Sequence, residues 1–196
     1  MPFSITHLTP FVRTPLADPL GPMSQALEEL RRMLANLGVF QAFMGVVGSL
    51  EASNRIFLSS APPAPQILDG DGGHEYTRAQ WENHLRPFCL IYTASTAGYR
   101  LTRVSRYCFK DHGKLFVELE MNAPSGADTD PETADRIVLN AIGQIANGLT
   151  NNADQPGYLD IAEITIAAGP SRERFEEIGG TGQYYWTLLE ISYGPD

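Results

Sequence analysis

The feature that most limits what this chain can fold into is a strand, a turn and a helix in direct succession over residues 114–149. Lys114-Leu-Phe-Val-Glu-Leu-Glu-Met-Asn122 alternates, with Leu115, Val117, Leu119 and Met121 on one side and Lys114, Phe116, Glu118 and Glu120 on the other. A period of two marks a strand with one face in a core and the other in water. Ala123-Pro-Ser-Gly-Ala-Asp-Thr129 interrupts it with turn formers. Asp130-Pro131-Glu132 then opens a helix. Asp130 can accept the orphan amide protons of the first turn, Pro131 already has a helical φ, and Glu132 sits at the positive end of the dipole. Ala134, Ile137, Val138, Ala141, Ile142, Ile145 and Leu149 follow at the three-and-four spacing of one apolar stripe. A strand dry on one face and a helix dry along one stripe predict a helix lying across a sheet.

The rest of the chain adds elements of the same kind. Residues 1–22 hold Pro2, Pro10, Pro15, Pro19 and Pro22 between apolar residues, which reads as an extended arm with Phe3 and Phe11 available to dock. Residues 23–196 read as a single domain. Ser24 can cap a helix to Leu37, with Leu27, Leu30, Leu34 and Leu37 on one stripe, and residues 39–44 can add a short second helix. A short strand is expected at 55–59 and a long loop at 60–86, the latter containing Tyr76 and a helical turn around Trp81. Pro87-Phe-Cys-Leu-Ile-Tyr-Thr93 is the most apolar strand and is expected at the centre, beside a strand at 99–109. Lys110-Asp-His-Gly113 reads as a hairpin turn. After the long helix, strands are expected at 158–168 and 183–193, joined by a loop over 169–182. The order predicts an α+β fold: one mostly antiparallel or mixed sheet with helices packed against it, long loops and an extended N-terminal arm.

The chain has 196 residues and a net charge of −9, so its surface repels phosphate and disfavours general nucleic-acid or anionic-membrane binding. Cys89 and Cys108 have no metal-ligand spacing and read as buried thiols of a reducing compartment, with a disulfide as the alternative. No charged and apolar leader opens the chain, and no apolar run has the length of a bilayer span. Asp69, Asp71 and Glu75, separated by glycines, could wrap a hard cation, but the spacing departs from the helix-flanked calcium loop, and a solvated loop tip is the alternative. Gly-Gly-Thr-Gly182 lacks the following helix of a phosphate cradle and reads as a hairpin tip. Glu118 and Glu120 share a strand face, either as paired carboxylates for acid–base work or as the wet side of a sheet. No residue set commits the chain to a catalytic or cofactor role. Phe175, Tyr184, Tyr185, Trp186 and Tyr193 cluster at or beside the last loop and strand, with Arg174 next to them as a further interaction candidate. Neighbouring strand residues point to opposite faces, so Tyr185 and Trp186 require a layer on each side of the sheet. The second layer is either the 24–37 helix or another chain.

In element order and local sequence, the chain resembles the tail-terminator and minor tail proteins of long-tailed bacteriophages, the lambda U-like group. The matching pieces are Ala26-Leu-Glu-Glu-Leu30, Arg55-Ile-Phe-Leu58, Arg86-Pro-Phe88, Leu115-Phe-Val-Glu-Leu-Glu120 and Asp130-Pro-Glu-Thr-Ala-Asp-Arg-Ile137. The series closes on Arg174-Phe-Glu-Glu177 and Tyr184-Tyr-Trp186. The chain departs from the group in its proline-rich arm, the 60–86 insertion and a longer hairpin at 99–122. The resemblance implies a virion protein without enzymatic activity or cofactor, folded in the host bacterial cytoplasm. It implies a homo-oligomeric, hexameric ring that caps the tail tube protein and offers a docking surface to a neck or head-completion protein. DNA would pass through without sequence-specific binding, and no membrane is involved. A head-closure or neck adaptor is the nearest alternative. A small cytosolic enzyme or ligand-binding domain using loop 60–86 as a lid is the alternative from another class.

Overall fold

The computed structural model describes residues 21–63, 78–93, 100–105, 108–124, 127, 129–153, 158–177 and 180–194. The helices are α1 (Pro22–Asn36), α2 (Gly38–Phe43), α3 (Ser49–Asn54), α4 (Arg78–Leu85) and α5 (Pro131–Asn152). The strands are β1 (Ile56–Phe57), β2 (Phe88–Thr93), β3 (Arg100–Ser105), β4 (Cys108–Asn122), β5 (Ile161–Glu177) and β6 (Gly180–Tyr193). They form one mixed, open sheet in the order β1-β2-β4-β6-β5, with β3 paired to the N-terminal end of β4. Among the described strands only β1 and β2 run parallel. The α+β arrangement is the one the element order predicts.

The expected strand–turn–helix is present and forms the centre. Leu115, Val117 and Leu119 are buried, as are Ala134, Val138, Ile142, Ile145 and Leu149 of α5. α1 joins the same core through Ala26, Leu30, Met33 and Leu34. Each of these larger side chains contributes about 1.5–3 kcal/mol by leaving water. Asp130 caps α5, its Oδ1 accepting from the Thr133 amide at 3.1 Å. Tyr185 of β6 reaches up through this core to donate its hydroxyl to Asp135 of α5. Ile137 is expected on the buried stripe but is 51% exposed, because at about 100° per residue it falls on the flank of the stripe formed by Ala134, Val138, Ile142, Ile145 and Leu149.

Several local expectations are corrected. α1 begins at Pro22, with Gly21 as its N-cap, and not at Ser24, so Pro22 belongs to the helix and not to the 1–22 arm. Proline is tolerated there because the first amides have no helical acceptor. β2 is not central. It lies between the two-residue β1 and β4, and its apolar sequence reflects helices on both of its faces. Its neighbour is β4 itself, not the 99–109 run. Residues 110–113 are no turn: β4 continues through them, paired with β3 in the register Arg100↔His112 to Ser105↔Cys108. Gly113 is required for a different reason. A Cβ there would lie 2.9 Å from the hydroxyl of Tyr193, its partner on β6.

The expected 169–182 loop is likewise mostly strand. β5 runs on to Glu177, with irregularities between Ile161 and Glu163, Ile166 and Ala168, and Ala168 and Ser171. Gly169 (φ 79°) provides the backbone conformation of the last bulge, and a Cβ there would meet the Trp186 carbonyl oxygen at 2.5 Å.

The register makes the sheet extend at both ends. Among the described residues, β4 before Gly113 pairs only with β3, and β6 before Tyr184 pairs with β5 beyond the end of β4. Two-stranded ribbons therefore leave the sheet in opposite directions.

Gly169→Ala is expected to cost about 2 kcal/mol or more in urea unfolding, from left-handed strain plus the clash with Trp186. Gly45→Ala, with φ 63° but nothing within 4 Å, is expected to cost about 1 kcal/mol. Asp130→Ala should lower the melting temperature at neutral pH. The cap holds the Asp130 carboxyl below its usual value, so its stabilisation is present above the unfolded carboxyl value and fades as pH falls through the folded one. Melting curves of the two proteins should converge at low pH.

Candidate functional site

The polar-looking side of β4 is the most elaborately built surface in the chain. The register aligns Tyr92, Phe116 and Glu190, then Leu90, Glu118 and Leu188, then Phe88, Glu120 and Trp186 across β2, β4 and β6. These nine positions lie on the face opposite α1 and α5. α4 covers one end of this face, burying Trp81 and Leu85 against Phe57, Phe88 and Leu90. The Trp81 indole N–H donates to the Pro63 carbonyl at 2.9 Å. The second face is thus covered in part by α4, and not by the 24–37 helix, which sits on the first.

Beside α4 lies a buried ion pair. Arg86 Nε donates to Glu120 Oε2 at 2.7 Å, and the two residues are 4% and 9% exposed. Glu120 is therefore not on the wet side of the sheet, as its position in the alternation suggested. The Arg86 guanidinium also lies over the Tyr184 ring, 3.7 Å from its centroid, a cation–π contact that partly replaces lost hydration. Burial raises the Glu120 carboxyl above its usual value, with Arg86 acting in the opposite direction.

Glu118 has a different environment. It accepts from the Trp186 indole N–H at 2.5 Å and from the Tyr92 hydroxyl at 3.3 Å. Among the described residues it pairs with no lysine or arginine. Burial, followed by the charge of Glu118, raises the Tyr92 hydroxyl. Tyr92 stacks on Phe116 with centroids 5.7 Å apart, and Lys114 pairs with Glu190 at the open end. Tyr92, Phe116, Trp186 and Leu188 remain half-exposed. Glu118 and Glu120 are close enough to act on each other electrostatically, but each is occupied by its own donors.

The structure thus brings Trp81, Glu118, Glu120, Tyr184 and Trp186 to one face, while Tyr185 is a core residue. Arg174 and Phe175 lie on β5, in register with Gln183 and Gly182. Phe3, Phe11, Tyr76, Asp69, Asp71 and Glu75 lie outside the described residues. No group of metal-ligating side chains gathers among the described residues. Cys89 is a buried free thiol, pushed up by burial and then by Glu118. Among the described residues no helix is long and apolar enough to cross a membrane. A polar cleft between α1 and α3 is lined by Glu28, Glu29, Arg31 and Arg32, of which Glu28 and Arg31 pair with each other. The sequence reading missed Arg86 as a site residue, because nothing local shows that the residue before Pro87 will face Glu120.

Comparison with protein-family models and with curated proteins found no match for this chain.

Arg86→Ala should destabilise the protein by about 3–5 kcal/mol at neutral pH, since it strands the Glu120 carboxylate in a dry site. The deficit should shrink as pH falls and Glu120 takes up a proton. Arg86→Met with Glu120→Leu should recover most of the loss in urea unfolding, because the apolar pair requires no desolvated charge.

Proposed function

We propose that the chain is a structural protein of a bacteriophage virion, a tail terminator that forms a ring, caps the tail tube and presents a docking surface to the neck. The observation that carries this reading is the two-ended sheet. Ribbons β3–β4 and β5–β6 leave it in opposite directions, while the outer side of α5 and the half-exposed part of the second face are left to lateral neighbours. Such a body suits a ring with two rims, one against the last ring of tube protein and one against a head-completion protein. The order of elements that resembles the lambda U-like group supports the same assignment.

The mechanism is geometric. Each copy offers one surface to the neighbour on its left and another to the neighbour on its right, and growth stops when the rotation closes. The rim turned towards the neck differs from the rim that meets the tube, so no further ring of tube protein stacks on it and the tube ends there. Acidic side chains on the lumen wall would repel DNA in transit and keep it from binding there.

The purified full chain should give closed rings with a central hole in negative stain and a multiple of the 21.5 kDa chain mass by light scattering. Particles assembled without it should carry overlong tails. Tails of normal length detached from heads would instead assign it to the neck, and a monomer whose melting temperature rises with a small ligand would exclude the assembly reading.

A further inference from the structure

α5 has an unusual outer surface for an acidic chain. Residues 137–152 contain no aspartate, glutamate, lysine or arginine, although the chain is 19% charged. Leu139, Asn140, Gln144, Asn147, Thr150 and Asn151 are nevertheless exposed, Leu139 to 48%. A solvent-facing helix ordinarily carries charges, whereas the centre of a protein–protein contact is depleted of them.

The two interior glycines of α5 differ in a telling way. A Cβ at Gly148 would lie 3.1 Å from Leu37, so packing inside the chain accounts for that glycine. A Cβ at Gly143 would have nothing within 4 Å, so intramolecular crowding gives no reason for it, although glycine weakens a helix relative to alanine. At 100° per residue, Leu139, Gly143, Ala146 and Thr150 fall on one stripe, on the flank away from Leu37. Arg136 stands at the start of this surface, exposed and without a partner among the described residues.

The outer face of the sheet has the complementary properties. It presents the large half-exposed rings of Tyr92, Phe116 and Trp186, together with Leu188, where α5 presents small side chains. It holds Glu118, a carboxylate with no cation, where α5 offers Arg136. α4 already shows that a helix can lie on this face, and beyond it Tyr92 and Phe116 are only half-buried. Two copies of a chain with a net charge of −9 repel each other wherever carboxylates meet. The uncharged helix surface is the place where they can approach without that cost.

We propose that α5 of one copy docks through Leu139, Gly143 and Arg136 on the outer sheet face of a second copy. The two halves of the contact are different surfaces, so every copy has one of each and the association continues around a ring. The inference rests on the self-assembling reading above and names the surfaces it uses.

The test is a mixing experiment on full-length chains followed by light scattering. Leu139→Lys spoils the helix half, with Gly143→Arg as a second variant of the same half, and Leu188→Lys spoils the sheet half. Circular dichroism checks that each variant retains the wild-type fold before it is mixed. Wild type should assemble, and each variant alone should be monomeric, with self-association weakened at least about tenfold. A helix-half variant mixed with Leu188→Lys should give a species of twice the monomer mass, since one intact helix surface then meets one intact sheet surface. A mixture that stays monomeric, or a folded variant that assembles like wild type, overturns this pairing while leaving the ring reading in place. A wild type that is monomeric at every concentration overturns both.

Discussion

β4 must satisfy two different layers and two different neighbours along one run of backbone. Its odd-numbered residues from Leu115 to Met121 face α1 and α5, and its even-numbered residues face α4 and the open surface. Its amides and carbonyls are shared with β2 on one edge and β6 on the other. A shift of one residue would carry Glu118 and Glu120 into the helical core and Val117 and Leu119 out of it, so the register has one acceptable value. Tyr185 and Trp186 inherit their opposite environments from the same alternation, one tied to Asp135 above the sheet and the other to Glu118 below it.

The two carboxylates of β4 show how a position can be polar without being wet. Glu120 is held beside α4 by a guanidinium that lies over the Tyr184 ring. Glu118, two residues earlier, is held by an indole and a phenol, both neutral. The first arrangement is complete within the chain. The second leaves a negative charge that is hydrogen-bonded but not neutralised, in the part of the face where the rings are half in solvent. Structural closure and potential contact thus lie within one strand, two residues apart.

Much of this was legible before any coordinates. Short-range physics determines the capping by Asp130 and Pro131, the α5 stripe and the two-sidedness of Tyr185 and Trp186, and short-range physics can be read from neighbours in sequence. What was misread depends on partners far away in the chain. Gly113 looked like a turn residue because glycine usually is one, yet it makes room for Tyr193. Gly169 and Pro170 looked like the start of a loop, yet they sit in a bulge of a continuing strand. β2 looked central because it is apolar throughout, a property that α4 on its second face explains equally well. Arg86 carries no local signal of its burial, which depends on a helix and a strand that no local pattern brings together.

The opposed ribbons have a mechanical corollary. β4 and β6 are joined by ten residue pairs, from Gly113↔Tyr193 to Asn122↔Tyr184. Antiparallel hydrogen bonds run perpendicular to the strands. Tension applied between the two ends of the sheet pulls β4 and β6 past each other, so the rungs between them share the load and none can fail alone. Peeling would break them one at a time, but the ribbons do not pull in that direction. A subunit gripped at both ends would transmit axial force along covalent backbone and a ladder in shear, and would move as a stiff strut.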